Sequence, residues 1–152
     1  MKLPLTILSW SGSVWRKVLS SILILAIVGA LGTLIYSVAN PLEEPFTEFY
    51  LLGLSGEATD YPSLLMVGEE GKVKVGILNR EYETVTYRMV VRIGGVISNE
   101  EGPVTLEHNE KWEEVVDFIP DRAGNEQQVE FLLYKQGQSE IYRSLHLWVD
   151  VQ

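Results

Sequence analysis

Residues 84–93 read TVTYRMVVRI, and this stretch decides the fold. Over most of its length apolar side chains alternate with Thr and Arg, which is the period of a β-strand that buries one face. The inward face is expected to carry Val85, Tyr87, Met89, Val91 and Ile93. A Gly-Gly pair at 94–95 then marks a turn. The stretch therefore predicts a half-buried strand rather than a helix.

The same period recurs through the rest of the chain beyond residue 45. Strands are predicted at 46–52, 72–77, 84–93, 104–106, 112–118, 129–134 and 144–151. About seven short strands separated by turn signals, with no helical pattern between them, predict a mainly β fold. The economical arrangement is an immunoglobulin-like antiparallel β-sandwich over 46–152, with a small open barrel as the alternative. The chain has no cysteine, so only the architecture of antibody domains is expected and not their disulfide.

Residues 18–38 read VLSSILILAIVGALGTLIYSV and carry no charge. At about 1.5 Å per residue, a helix of this length spans roughly 31 Å, close to the thickness of a bilayer's hydrocarbon core. This predicts a single N-terminal transmembrane helix over 18–38. It would be preceded by a cytoplasmic or interfacial segment over 1–17 and followed by a Pro-rich connector over 39–45.

Charge on the two flanks predicts the orientation of this helix. Arg16 and Lys17 precede it, Glu43 and Glu44 follow it, and all 21 acidic residues lie beyond residue 40. The positive-inside bias places the N-terminus in the cytoplasm and the β domain outside the cell membrane. Three aromatic residues fall near the expected membrane interfaces: Trp10, Trp15 and Tyr36.

A cleaved signal peptide is the alternative interpretation of this segment. Small residues at Ser37 and Ala39 would allow cleavage after Ala39. The apolar run is longer than the usual 7–15 residues of a signal peptide, which favours an uncleaved signal-anchor. Cleavage stays an open question at this point.

Small residues mark one face of the predicted helix. They are Ala26, Gly29, Ala30, Thr33 and Ser37. Small residues spaced by three and four allow a second helix to approach closely. This pattern predicts contact with another membrane protein or self-association, although small residues are also common in isolated spans.

The amino-acid composition limits which partners, catalytic activities and metal sites the protein can have. A net charge of −9 argues against nucleic acid as a partner, and the missing cysteines exclude thiol catalysis and thiolate metal sites. Two histidines, His108 and His146, are too few for a zinc site without added carboxylates. Adjacent glutamates in a strand point to opposite faces, so they do not predict a catalytic pair. No enzyme activity, cofactor or metal is expected, although weak calcium binding by Asp60, Glu69 and Glu70 and sugar binding stay open.

Two aromatic residues are the candidates for an exposed contact. Trp148 lies on the parity opposite to the apolar face of its predicted strand, and Tyr142 precedes that strand. Trp112 shares the parity of apolar neighbours and is expected in the core. A glycan or protein of the cell envelope is the kind of ligand that an exposed aromatic pair would contact.

The order of these signals resembles a known family, the domain-of-unknown-function family 1616 of archaeal and bacterial membrane proteins. The matching pieces are FTEFYLLG at 46–53, YP at 61–62, VGE at 67–69, GILNREY at 76–82, VTY at 85–87, LEHNEKW at 106–112, VEFLLYK at 129–135 and YRSLHLW at 142–148. The resemblance implies a membrane-anchored β domain outside the cytoplasm and supplies no catalytic residues. Many relatives carry several spans before the domain, whereas this sequence shows one.

The expected function is therefore non-enzymatic. A single-pass membrane protein would present an immunoglobulin-like domain outside the membrane for binding or for surface assembly. The alternative is an accessory or structural subunit of a larger membrane complex, docked through the transmembrane helix.

Overall fold

A computed structural model describes residues 12–40 and 43–152, and the predictions for Trp10 and the other residues of 1–11, and for 41–42, lie outside these ranges. The chain divides into two compact units with a boundary after Glu43. The described part of the first unit is one helix, α1, over Gly12–Ala39. It contains the predicted span and begins earlier, because no residue between Gly12 and Lys17 breaks a helix.

Helix α1 ends at a side-chain cap. The backbone and side-chain amides of Asn40 both donate hydrogen bonds to the carbonyl oxygen of Tyr36, at 2.9 and 3.1 Å. A carbonyl of the last turn, which has no partner within the helix, is thereby satisfied. No side chain of α1 is buried, and its most apolar window has a mean hydropathy of 2.5. The helix is compatible with a membrane anchor.

The described residues of the second unit form eight strands. They are β1 (Phe46–Leu52), β2 (Leu64–Leu65), β3 (Gly71–Arg80), β4 (Val85–Ile93), β5 (Val96–Leu106), β6 (Lys111–Phe118), β7 (Gly124–Lys135) and β8 (Arg143–Val151). One sheet has the order β1-β3-β6, and the other has the order β2-β8-β7-β4-β5. Two separate sheets confirm the predicted sandwich rather than the open barrel.

The core lies between the two sheets. All five residues that the alternation in 84–93 places inward are buried, as are Val73, Val75 and Ile77 of β3. Phe118 and Phe131 meet edge to face across the core, with ring centroids 6.3 Å apart. Burial of this apolar surface is the main term that stabilises the sandwich.

Several strands are longer than predicted, among them β7, which begins at Gly124 rather than 129, and the largest differences are at β5 and β2. β5 runs over Val96–Leu106 rather than 104–106, because an edge strand with few buried side chains shows no alternation. β2 contains only Leu64 and Leu65, which is too short for any period to be visible. β2 also pairs with β8 in parallel, whereas every other strand pair is antiparallel, as expected.

A tyrosine lies across the outer face of the three-stranded sheet. The register places Tyr50 of β1, Gly76 of β3 and Glu113 of β6 side by side. The Tyr50 ring covers Gly76, and its hydroxyl donates a hydrogen bond of 2.8 Å to Glu113. A side chain at position 76 would occupy the space of this ring, so glycine is required there.

Candidate functional site

A buried carboxylate joins the two sheets at one end of the sandwich. Glu81 follows β3, and its side chain is 6% exposed. One of its oxygens, Oε1, accepts hydrogen bonds from Thr47 of β1, at 2.7 Å, and from the hydroxyl of Tyr142. The other oxygen, Oε2, lies 3.0 Å from the ammonium group of Lys135 in β7. We call these four residues, together with Tyr87, the Glu81 cluster.

Strand register brings the Glu81 cluster together. Tyr87 and Lys135 lie directly opposite each other in the five-stranded sheet. Thr47 belongs to the three-stranded sheet, and its hydroxyl lies 2.7 Å from that of Tyr87. At this end of the sandwich the two sheets are therefore joined by hydrogen bonds, whereas in the rest of the core they are joined by apolar contacts.

Asn79 supports the cluster from behind. It is fully buried, and its side-chain amide donates to the carbonyl oxygens of Glu83 and Leu106, both at 2.8 Å. Its side-chain oxygen accepts the N–H of Glu81 at 2.8 Å. The backbone of Asn79 also pairs with the β5–β6 turn at Asn109. One side chain thus fixes the turns that follow β3 and β5.

The electrostatics of the cluster favour an ionised Glu81. Burial opposes ionisation, but hydrogen bonds from Tyr142, Thr47 and Lys135 outweigh it and hold the pKa of Glu81 below its ordinary value. Burial also raises the pKa of Tyr87 to about 12. A carboxylate that is ionised and engaged at both oxygens is a poor general acid or base. The arrangement is suited to holding the two sheets together.

Tyr142, a predicted exposed contact, is partly exposed in the structure, and its contact with a ligand stays a prediction. The ring is half-buried and packs against the core, because its hydroxyl reaches Glu81. Two cations lie over the ring, with Lys135 at 4.1 Å and Arg143 at 4.9 Å from its centroid. These contacts occupy both the hydroxyl and the ring of Tyr142 within the chain.

Trp148 lies on the outer face of the five-stranded sheet. It is 55% exposed, and its ring meets that of His146 edge on, with centroids 5.9 Å apart. Leu64 of the neighbouring β2 and Met66 just after it are also exposed. We call Leu64, Met66 and Trp148 the edge patch. Six residues of chain separate Trp148 from Tyr142, so the two do not form one aromatic platform.

The residues considered for metal binding do not converge. Within the described ranges, no group of three or more His, Asp or Glu side chains is placed to hold a metal ion. His108 stacks on Tyr82, and its Nδ1 accepts the Tyr82 N–H at 3.1 Å. Glu69 accepts the backbone N–H of Met66, and Glu70 pairs with a neighbouring lysine.

The small residues of α1 lie on its open surface. Ala26, Gly29, Ala30, Thr33 and Ser37 are all exposed, and a methyl group added at Gly29 would meet no atom within 4 Å. The Thr33 hydroxyl donates to the carbonyl oxygen of Ala30 at 2.9 Å. Contact between this face and a partner stays a prediction.

Sequence reasoning missed the Glu81 cluster, although the sequence carries a signal for it. Thr47, Asn79 and Lys135 lie on the parity of their strands that is otherwise apolar, and Glu81 continues the parity of β3. A polar side chain on an inward parity needs a hydrogen-bonding partner. The register that supplies those partners could not be obtained from alternation alone.

The model of a family described as a domain of unknown function, DUF1616, matches residues 41–150. The chain belongs to this family. The match covers the described strands of the DUF1616 domain almost completely and confirms the resemblance found in its motifs. No functionally curated protein matches the sequence.

Solved structures show that the DUF1616 domain has an immunoglobulin-like fold. It is similar to the CARDB domain of a Pyrococcus furiosus protein, which was solved in complex with di-metal ions. The two chains share 15% sequence identity and superpose with a TM-score of 0.51, and the match covers 74% of this chain and 97% of that one. The solution structure of the same domain gives 16% identity and a TM-score of 0.52, over 72% and 97% of the chains. A chain from the human seminal-plasma complex of zinc 2-glycoprotein and prolactin inducible protein gives 8% identity and a TM-score of 0.50, over 74% and 100%.

Proposed function

We propose that this protein is a single-pass, non-enzymatic membrane protein that presents its immunoglobulin-like domain outside the cell membrane for binding or envelope assembly. The observation that carries the proposal is a wholly exposed apolar helix that precedes a β-sandwich with exposed apolar side chains, those of the edge patch, on its surface. Helix α1 acts as the anchor, and the edge patch of the domain meets an envelope protein or glycan.

Charge supports the proposed orientation. Arg16 and Lys17 lie in the first turns of α1, and the acidic residues of the chain follow the helix. Cytoplasmic flanks carry an excess of Lys and Arg, so the β domain is placed outside. The uncharged apolar run over 18–38 is longer than the usual 7–15 residues of the apolar region of a signal peptide. This supports a retained anchor.

The arrangement of the titratable groups supports a non-enzymatic role. The carboxylate of Glu81 is saturated by donors, and that of Glu113 is engaged by Tyr50, Lys74 and Lys111. Hydrogen bonds from Tyr50 are the largest cause that lowers the pKa of Glu113. Both groups hold strands together and are not directed at a vacant cleft.

The edge patch supports binding as the role of the domain. Successive side chains of a strand point to opposite faces, so a residue next to a buried one points outward. Leu64 points outward because Leu65 is buried. Trp148 points outward because its neighbours Leu147 and Val149 are buried. The central part of the same face is covered by ion pairs between Arg88 and Glu100 and between Arg92 and Glu130. Exposed Trp and Met side chains beside such a polar surface are typical of contact sites.

A labelling experiment tests the topology, since the chain has no cysteine of its own. We expect Ser55→Cys, in an exposed loop of the domain, to react with a membrane-impermeant maleimide in intact cells. Lys2→Cys should react only after lysis, and its label should stay on a full-length band. Labelling of Lys2→Cys in intact cells, or loss of its label by cleavage, would contradict the proposed anchor.

A sedimentation experiment tests the binding role. Full-length protein in mild detergent should co-sediment with protein-containing cell-wall material, and Trp148→Ser should reduce the bound fraction several-fold. Val115→Ser is the matched control, since Val115 is an exposed apolar residue of the other sheet. Equal reduction by both variants would show that the edge patch has no specific role.

A second candidate function is that of an accessory or structural subunit in a larger membrane complex. The specific observation is that every small residue on the face of α1 is open to contact, and that Gly29 leaves room for another helix backbone. If this face docks a partner, Gly29→Leu with Thr33→Leu should abolish copurification of a polytopic protein. Ile35→Ala, on the opposite side of the helix, is the control.

A further inference from the structure

A surface groove runs along the β7–β8 turn, away from the edge patch. It consists of two adjoining cavities of about 280 and 310 Å3. They share four lining residues: Thr86, Lys135, Gln136 and Gln138. Together the cavities reach the range of roughly 300–1,000 Å3 that is typical of ligand sites. We call them the turn groove.

The turn is fixed against the sheet that it borders. The backbone N–H of Gln136 donates to the carbonyl of Thr86 at 2.8 Å, and that of Gln138 donates to the carbonyl of Lys135 at 3.1 Å. No hydrogen bond within the described residues engages the side-chain amides of Gln136 or Gln138. The groove therefore presents two amides with donors and acceptors available, on a backbone that is already ordered.

The charges in the groove are compensated. Arg88 pairs with Glu100 at 2.9 Å, and Lys135 pairs with Glu81 at 3.0 Å. An anionic ligand would meet no unpaired cation among the described lining residues, and it would approach the carboxylate of Glu83 at one end. A neutral ligand rich in hydroxyl groups fits better, because it can use the amides, the Thr86 hydroxyl and the paired charged groups as both donors and acceptors.

We propose that the turn groove binds a neutral oligosaccharide. Two adjoining cavities suit consecutive sugar rings, with Pro103 as apolar wall and the two glutamines as hydrogen-bonding groups. The site is distinct from the edge patch. Trp148 lies opposite Gln128, and seven residues of β7, or about 23 Å, separate Gln128 from Lys135.

Calorimetric titration of the full-length protein in detergent micelles tests this site. The neutral probes are cellohexaose, mannohexaose and hexa-N-acetylchitohexaose, and the anionic probe is an oligogalacturonate of the same length. We expect saturable binding of at least one neutral probe and none of the anionic one. Gln136→Ala with Gln138→Ala should weaken binding about tenfold or more, because two amide hydrogen bonds are lost.

Asn125→Ala is the matched control, since it removes an exposed amide outside the groove and should leave the affinity unchanged. Thermal unfolding of each variant shows that the fold is retained. The proposal is overturned if no neutral probe binds, if the double variant binds as tightly as the parent, or if the anionic probe binds equally well. The maleimide experiment reports separately on topology, so failure of glycan binding does not refute the proposed anchor.

Discussion

Replacing Glu81 by Gln tests whether the Glu81 cluster holds the two sheets together. The amide has the same shape as the carboxylate, and its oxygen can still accept from Thr47 and Tyr142. Its NH2 group, however, would face the ammonium of Lys135, which the carboxylate contacts at 3.0 Å. The substitution therefore leaves a partly buried cation without its partner and sets two donors against each other.

The expected loss of stability follows from the burial of the two groups. Breaking a buried ion pair from one side costs about 3–5 kcal/mol. The Lys135 side chain is 19% exposed and can turn toward water, so we expect a cost at or below the bottom of this range, about 2–3 kcal/mol. For a domain of about 100 residues this lowers Tm by roughly 10–20 °C.

Thermal unfolding followed by tryptophan fluorescence measures this loss. Lys135→Met alone should be destabilising, but Glu81→Gln with Lys135→Met should recover most of the stability, because no unpaired charge remains. A cost of Glu81→Gln below about 1 kcal/mol, or a double variant no more stable than the single, would refute the reasoning.

The pH dependence supplies an independent test of the same carboxylate. The pKa of Glu81 in the folded protein lies below its ordinary value of 4.5. Its contribution to stability is therefore present above about pH 4.5 and is lost as the pH falls through the lower folded pKa. Glu81→Gln should remove this part of the acid dependence and leave the rest.

Three further outcomes are expected. Gly76→Ala places a Cβ in the space of the Tyr50 ring and should cost about 1–3 kcal/mol in urea unfolding, a cost that should largely vanish in a Tyr50→Ala background. Asn79→Ala leaves three backbone groups without partners and should cost about 2–4 kcal/mol by the same assay, with faster amide exchange in both adjoining turns. Burial raises the pKa of Tyr50 and Tyr87 to about 12, and for Tyr50 the nearby Glu113 contributes as well. The stability of the domain should therefore fall as the pH rises from about 10 through 12. Tyr50→Phe should remove one late step from the ultraviolet titration of the tyrosines.

Alternation predicts strands well where one face is buried and poorly where it is not. β4 is visible in the sequence because every inward residue is apolar, whereas the edge strand β5 is seen only at its buried end, near Leu106. Site residues follow the same rule. Trp148 is exposed as its parity indicates, but Tyr142 precedes a strand, so parity says nothing about it and only its contact with Glu81 explains its burial. Contacts between sheets depend on register, which a single sequence does not specify.

The position of the Glu81 cluster indicates a role in choosing the register of β1. Among the described strands β1 pairs only with β3, so few hydrogen bonds fix its alignment. In the observed register Thr47 points inward to Glu81, and Glu48 points outward to Arg80 at 3.1 Å. A slip by one residue would turn Glu48 into the core and expose Phe49. An uncharged replacement of the ion pair can recover most of its stability while penalising that slip less, so Glu81→Gln with Lys135→Met should keep Tm near the parent value while amide exchange in β1 becomes faster.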